Sequence, residues 1–434
     1  MEIILGVLIG IFCLLFLVTA HEFGHFLMAR KNGVRVLEFG ICFPPRAKAW
    51  VHEVQKDKNG KILTKKNGKP LYKWKKIPKK DWGKPQKDLI FSINWLPIGG
   101  FCQMDGESDA DDRKGTFGAG TFWTKTKILF GGVLMNWLVA FLIFTILAWC
   151  GLPTLLENQF SVESDKRSEY DPVTVVEVTP NSPAERAGFQ PGDQIIEING
   201  QKVYTGTDVT NFDNQNAGKE TEYKISRPGP ILCIDGPQNN PENGCHPQYD
   251  EQNLVANLNN LNNEWGYILG VTMDSSAFVT NYYTWSAPIV GIGTTVQLTG
   301  ETFKGLGGMV WNLISGAFSQ FSSDDAVREA GKEAISTAGD SVSGPIGIIS
   351  MFVNLYSNPT FTLFLFGLIS VSLACMNVIP IPALDGGRWL IIVIARLKHK
   401  RLTKEKEEKI VAKALIILFA LMILITILDI IRFF

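Results

Sequence analysis

Residues 3–25 read IILGVLIGIFCLLFLVTAHEFGH: an uncharged run from Ile3 to Ala20 that closes in His21-Glu22-Phe23-Gly24-His25. A helix rises 1.5 Å per residue, so about 20 apolar residues cross a hydrocarbon core of about 30 Å. The run therefore predicts a transmembrane helix with a polar cluster at its end. His21 and His25, four apart, stand about 40° from one another on that helix, and both imidazoles face one point. Such a pair suits two ligands of a tetrahedral Zn²⁺, and Glu22 beside them suits a general base working on metal-bound water. Two imidazoles and a carboxylate inside an apolar helix are costly unless they serve a function.

Three more apolar runs follow. Residues 128–149 and 361–384 carry no charge, and residues 411–431 carry only Lys413 and Asp429 near the ends. The expected fold class is a polytopic α-helical membrane protein with about four transmembrane helices. No basic segment precedes the first run and no small-residue cleavage site closes it, which argues against a signal peptide. Lys plus Arg (42) equals Asp plus Glu (42), so a basic nucleic-acid binder is excluded. With 46% hydrophobic and 19% charged residues, disorder and a fully soluble domain are also poor readings.

Charge is uneven along the chain. Residues 30–127 hold 22 Lys/Arg against 10 Asp/Glu, residues 150–343 hold 10 against 25, and residues 386–410 hold 8 against 3. Positive charge collects in cytoplasmic loops. The first and third loops should then be cytoplasmic, and the second loop and both termini extracytoplasmic, in the cell inner (plasma) membrane. Seven Cys are too few for a disulfide scaffold. Cys233 and Cys245 fall in the extracytoplasmic loop, where a disulfide and two free thiols are equally open.

The expected organisation is a first transmembrane helix with the His cluster over 1–30. A cytoplasmic, membrane-associated β-rich loop with a Lys-rich insertion covers 31–127, and the second transmembrane helix covers 128–150. Residues 171–274 form a compact extracytoplasmic module, followed by an extracytoplasmic linker over 275–343. A third transmembrane region lies at 344–387, a basic cytoplasmic loop at 388–410 and a fourth helix at 411–434. Within the first loop, residues 34–54 alternate like a strand broken at Pro44-Pro45, and Asn59-Gly60 and Asn67-Gly68 signal hairpin turns. The lysines of residues 56–87 suit a solvated positive-inside loop, with contact to anionic lipid as the sharper reading. Ile90 to Met104, containing Leu96-Pro97-Ile98-Gly99-Gly100-Phe101, is apolar but too short to span, as in a re-entrant or interfacial loop. In the 171–274 module, strands are expected at 173–178, 194–198, 222–226 and 266–273, with a short helix at 182–188 and an inserted loop at 237–263.

A catalytic zinc needs a third protein ligand and an open fourth position. His52, His246 and His399 lack a span to aim them or lie on the wrong side. Asp385 closes the third apolar run in Asn377-Val378-Ile379-Pro380-Ile381-Pro382-Ala383-Leu384-Asp385-Gly386-Gly387. Pro380 and Pro382 disrupt helical hydrogen bonding, so the chain there should unwind and let Asp385 turn inward. Charge counting alone puts His21, His25 and Asp385 at the same membrane face.

Together these motifs resemble the site-2 protease family of intramembrane zinc metalloproteases, in its bacterial PDZ-containing branch. His21-Glu22-Phe23-Gly24-His25 is similar to the first family motif, and Asn377, Pro380, Pro382 and Leu384-Asp385-Gly386-Gly387 to the second. Supporting likenesses are residues 96–101, Asn136 and Ser343-Gly344-Pro345-Ile346-Gly347. The Ser182-Pro183-Ala184, Ala187-Gly188, Gly192-Asp193 and Asn199-Gly200 pattern resembles a bacterial-type PDZ domain. The resemblance implies that His21, His25 and Asp385 bind Zn²⁺ and that Glu22 is the catalytic base. It implies that Asn377 holds substrate or stabilises the oxyanion, and that residues 99–104, with Gly99 and Gly100, pair with an unwound substrate. Pro380 and Pro382 would belong to the same substrate region. The implied activity is cleavage of transmembrane segments of single-pass membrane proteins, such as anti-sigma factors or signal-peptide remnants, in regulated intramembrane proteolysis. The implied partners are those substrates and membrane lipid, with no soluble small-molecule substrate. The chain departs from the pattern in holding one PDZ-like module instead of two in tandem, in Ile41-Cys42-Phe43-Pro44-Pro45, and in the Lys-rich insertion. Two other classes compete: a membrane-anchored PDZ protein without catalysis, for which Glu22 would be idle, and a transporter, for which inverted repeats would be expected.

Overall fold

The computed structural model describes residues 2–433 except 56, 58–61, 66, 68–69, 83–87, 108–110, 157, 171, 234–244, 261–267, 275–278, 323, 341–343, 357 and 400–402. In chain order the elements are α1 (Glu2–Lys31), β1 (Val36–Val54), β2 (Tyr72–Lys76), β3 (Ile90–Met104), α2 (Phe122–Cys150), β4 (Leu152–Pro153), β5 (Arg167–Tyr170) and β6 (Val173–Val178). Next come α3 (Pro183–Ala187), β7 (Gln194–Ile198), β8 (Gln201–Lys202), α4 (Gly206–Gln215), β9 (Glu220–Cys233), β10 (Cys245–Asn257), β11 (Val271–Met273) and β12 (Val279–Tyr282). Six helices close the chain: α5 (Ala287–Ser319), α6 (Asp325–Asp340), α7 (Pro345–Leu355), α8 (Pro359–Val378), α9 (Asp385–Leu397) and α10 (Lys404–Phe433). Residues 1–148 with 285–434 form one unit, and residues 149–284 the other.

In the first unit, four helices among the described residues are long and apolar enough to cross a membrane: Ile3–Lys31, Phe122–Cys150, Pro359–Val378 and Lys404–Ile427. β1 and β3 fold over one another. The 90–94 half of β3 pairs with Glu38–Ile41 on one side and with 46–51 on the other, whereas Gly100–Met104 pairs only with Val36–Ile41. Residues 100–104 are therefore a sheet edge among the described residues. Ala29 of α1, Val36 and Phe39 of β1, Met104 of β3, Phe117 in the segment before α2 and Leu129 of α2 share one buried cluster. Each of the larger side chains contributes about 1.5–3 kcal/mol, and the cluster seats the sheet on the helices.

Several expectations need correction. β1 is not broken at Pro44-Pro45 but runs through it. Its pairing jumps from Phe43–Leu96 to Arg46–Asn94, so the prolines sit at an irregularity where no ladder N–H is needed. Residues 90–104 form a strand, not a loop. The segment at 275–343 is not a linker: α5 packs so closely on α2 that a Cβ at Gly291 would lie 2.2 Å from Thr145 Oγ1. Cys375 of α8 reaches the Thr299 carbonyl of α5 at 4.0 Å. Gly, Thr, Glu301 and Lys304 dilute the apolar signal of α5 and hid it from a composition scan. The third apolar region is two helices, α7 and α8, parted before Asn358, whose side chain accepts from Phe361 N–H. Residues 59, 60 and 68 of the expected hairpin turns lie outside the described residues.

The second unit holds a sheet ordered β10-β9-β7-β6-β11, with β8 on β7, and a smaller sheet β4-β12-β5. Its core gathers Val173, Phe189, Ile195, Ile198, Tyr223 and Ile225. Ser182 caps α3 by accepting from Glu185 N–H at 3.1 Å, and Gly188 ends it at φ 89°. Thr205 and Asp208 form a capping box on α4. The inserted loop expected at 237–263 is, over 245–257, the strand β10. Cys245 stands opposite Cys233 in its register, and their side chains lie outside the described residues.

Candidate metal centre

α1 presents His21 and His25 on one face, both buried. α2 crosses α1 at a glycine contact, where a Cβ on Gly24 would fall 2.2 Å from the Gly131 carbonyl oxygen. The next residue, Gly132, lies under the imidazoles: a Cβ there would be 2.6 Å from His21 Nε2 and 2.7 Å from His25 Nε2. Small residues let two helices approach this closely.

The third group arrives from remote sequence. α8 ends at Val378, and residues 379–384 are non-helical, held by Ile381 N–H to Ile379 O and Leu384 N–H to Ile381 O, each 2.8 Å. The chain then re-enters helix at Asp385. The two glycines that follow admit the loop against the new helix, since a Cβ on Gly386 would meet Val378 O at 2.1 Å and one on Gly387 would meet Ile381 O at 1.9 Å.

Asp385 Oδ2 lies 3.0 Å from His21 Nε2 and 3.2 Å from His25 Nε2, and the two Nε2 atoms are 3.1 Å apart. Three donors at about 2.0–2.1 Å from a tetrahedral Zn²⁺ stand about 3.3 Å apart, close to this triangle. The protons point the same way. His25 Nδ1 lies 2.8 Å from the Ile128 carbonyl, which can only accept, so Nδ1 carries the hydrogen and Nε2 offers its lone pair inward. His21 Nδ1 faces the Asn136 amide at 3.2 Å, and Asn136 Oδ1 is buried without a partner. Turning that amide over gives Oδ1 the His21 Nδ1–H and frees the second Nε2 lone pair as well; the assignment of amide O and N follows from such a network. Ser370 of α8 fixes the α2 backbone here by donating to the Asn136 carbonyl at 2.8 Å. Two imidazole lone pairs and a carboxylate oxygen facing one another are repulsive without a cation, so the donor set fits zinc.

Glu22 also belongs to this cluster, its carboxylate lying within 4.8 Å of the histidine nitrogens. Glu22, His25 and Asp385 line a cavity of about 470 Å³ whose lining also takes in Phe101–Met104 of β3, Glu107 and Arg388. The Cys102 backbone hydrogen-bonds Glu22. Burial pushes the Cys102 thiol well above its ordinary value, with Glu22 and Glu107 adding to the rise.

The other expected site residues are placed differently. Gly99, at φ 139°, rests on Val18 and Phe43, and Gly100 rests on Thr19 and the Gly40 carbonyl. Pro380 and Pro382 shape the α8–α9 connection. Asn377 donates its amide to the Leu373 carbonyl of its own helix at 2.9 Å. None of these five lines the cavity. His52 is stacked on Tyr72 and packs tilted against Trp74, with ring centroids 4.7 and 4.6 Å away, and the His246 side chain lies outside the described residues. Sequence reasoning missed Gly132, Ser370 and Arg388. A Gly131-Gly132 pair inside an apolar run was the available signal for the first.

The family model that matches the chain is "Peptidase family M50", over residues 9–56 and 75–422. A protein of Clostridium perfringens named as a candidate zinc metalloprotease is 26% identical over 416 residues, 96% of this chain and 95% of its own. One of Rhizobium meliloti with the same description is 25% identical over 405 residues, 90% and 87% of the two chains.

Proposed function

Since the chain belongs to peptidase family M50, the site-2 protease family, and is a zinc metalloprotease of the membrane, we propose that it hydrolyses peptide bonds in transmembrane segments of single-pass membrane proteins, with His21, His25 and Asp385 as zinc ligands and Glu22 as base. The observation that carries the assignment of ligands is the meeting of Asp385 Oδ2 with both Nε2 atoms at 3.0 and 3.2 Å across 360 residues of sequence. Bound there, zinc supplies Lewis acidity that brings the pKa of water towards neutrality and polarises a carbonyl. Glu22 takes the proton from the attacking water and returns it to the leaving nitrogen as the C–N bond breaks. Asn136 and the Ile128 carbonyl hold the two rings in the tautomer that keeps Nε2 free.

A helix hides its carbonyls in its own hydrogen bonds, so a substrate helix must open before water reaches it. The outer edge of β3 at 100–104, which no second strand pairs with among the described residues, lies in the cavity wall and supports pairing with the opened segment through the backbone groups that the Glu22 and Glu107 carboxylates do not hold. Gly99 and Gly100 then act by seating that edge on α1. The 171–274 region is read as a PDZ-like module that gates or binds substrate outside the membrane. The basic first and third loops support a cytoplasmic site with both termini outside. The class of substrate is that of regulated intramembrane proteolysis, anti-sigma factors and signal-peptide remnants included.

Glu22→Gln tests the chemistry. The purified variant should keep its zinc, measured by atomic absorption, and lose cleavage of a single-pass model substrate by about 10³-fold or more, because its base is gone. Normal cleavage by the variant would refute the assignment of Glu22.

A further inference from the structure

The residue expected to stabilise negative charge on the substrate, Asn377, spends an amide hydrogen on its own helix and does not line the cavity. A different donor does. Arg388 of α9 lies in the cavity wall with Glu22, His25, Glu107 and Asp385, and is the one Lys or Arg among the lining residues. It is half-buried. Its guanidinium stacks on the buried Phe117 ring, Cζ to centroid 5.7 Å, and one nitrogen, Nη2, donates to the Glu107 carbonyl at 3.2 Å. It makes no ion pair among the described residues: the Glu107 carboxylate accepts from Met104 N–H at 2.9 Å instead. A half-buried guanidinium held by a ring and one carbonyl retains most of its five donors, and among the described residues its charge has no paired carboxylate. It stands three residues after Asp385, one turn along the same face of α9, with Cβ atoms about 5–6 Å apart.

We propose that Arg388 is a catalytic residue that stabilises the oxyanion. This rests on the protease reading above. When water adds to the scissile carbonyl, the carbonyl π pair moves onto oxygen and one water proton passes to Glu22. When the tetrahedral species collapses, that proton leaves with the amine and the oxygen pair re-forms the carbonyl of a carboxylic product. Negative charge thus builds on an oxygen inside a cavity lined by three carboxylates, and Arg388 is the one Lys or Arg of that lining that can offset it beside the Lewis acidity that the metal would supply. A substrate strand added to β3 would turn alternate carbonyls away from β3, leaving them free for a donor in the same cavity lining, where Arg388 lies. Phe117 and the Glu107 carbonyl fix the fork beforehand, so little reorganisation is needed when the charge develops.

The test uses the full-length protein in lipid–detergent micelles with a single-pass model segment carrying a central Gly-Pro pair. It also uses two inhibitors built on that segment: a phosphonamidate, which is a tetrahedral anion, and a neutral reduced amide. Cleavage by the parent and its loss in Glu22→Gln establish the underlying reading; parent protein that does not cleave sinks that reading, while the inhibitor arm still reports on Arg388. Arg388→Met should lower kcat by about 10²–10³-fold with KM and zinc content little changed. It should weaken phosphonamidate binding by a comparable factor and leave reduced-amide binding within about threefold. Arg388→Lys, which keeps charge but loses the fork, should fall between the two. Unchanged kcat, or equal loss of both inhibitors together with a lowered Tm, would show that Arg388 only anchors α9, and the proposal would be wrong.

Discussion

Gly132 shows how little room the site leaves. With Nε2 of both histidines under 3 Å from where its Cβ would stand, an added methyl displaces ligands and leaves the helix otherwise intact. Gly132→Ala should therefore keep the helical far-UV spectrum and lower zinc affinity by about 10–100-fold, the usual cost of disturbing the support of metal ligands; competition against a graded zinc chelator measures it. Gly24 and Gly131 serve the neighbouring turn in the same way, by allowing α1 and α2 to touch. Asn136 is buried between them with its carbonyl oxygen unpartnered until the amide is turned over, and that turn gives His21 its acceptor. At this scale the HExxH spacing was legible because helical periodicity alone brings His21 and His25 together. Arg388 was not, since nothing in a linear pattern tells a cavity-facing arginine from one at a membrane edge.

Among the elements, the α8–α9 joint does the most. Pro380 and Pro382 announce that the helix stops, and it stops at Val378. They do not announce that α9 folds back against the connection so tightly that Gly387 has its would-be Cβ 1.9 Å from Ile381 O. Backbone cannot move aside as a side-chain end can, so Gly387→Ala should cost about 2 kcal/mol or more and displace Asp385 with it. The expected outcome is a lower Tm in detergent together with zinc loss, read on one sample by differential scanning fluorimetry and metal analysis. α5 teaches the opposite lesson. Its glycines and threonines look like a linker in composition, yet Gly291 is where α5 meets α2. Small residues weaken hydropathy and strengthen helix packing, so a scan tuned to the first property misses the second.

At the scale of the whole molecule, the second unit carries a titration of its own. Asp213 is buried in it, and burial raises its pKa to about 6, a rise that the hydroxyl hydrogen bond from Tyr223 partly opposes. Its unfolded value is about 3.9. Folding therefore favours the protonated acid: its contribution is fully present below about pH 4 and is lost as pH rises through about 6. A difference of about two units corresponds to about 3 kcal/mol at most. Protease-monitored urea unfolding of this unit in the full-length protein should give a lower midpoint at pH 7 than at pH 5, and Asp213→Asn should flatten that difference. The proposed chemistry makes a demand at the same scale. A substrate helix with central Gly or Pro opens more cheaply, so replacing those residues by Leu should slow cleavage; equal rates for the two segments would argue against helix opening as a limiting step.

The apolar runs, the imidazole pair and the proline-broken stretch before Asp385 were determined by the sequence itself, because each depends on local properties: hydrophobic length, a 3.6-residue period and a missing N–H. That Asp385 faces those imidazoles at about 3 Å, that Gly132 makes the space beneath them, that residues 100–104 form a sheet edge among the described residues and that α5 packs as a helix were decided only by the tertiary structure. These are contacts between segments as far as 364 residues apart. Their geometry is set by which backbones can approach one another and which buried polar groups find partners, and neither property can be read along a single strand of chain.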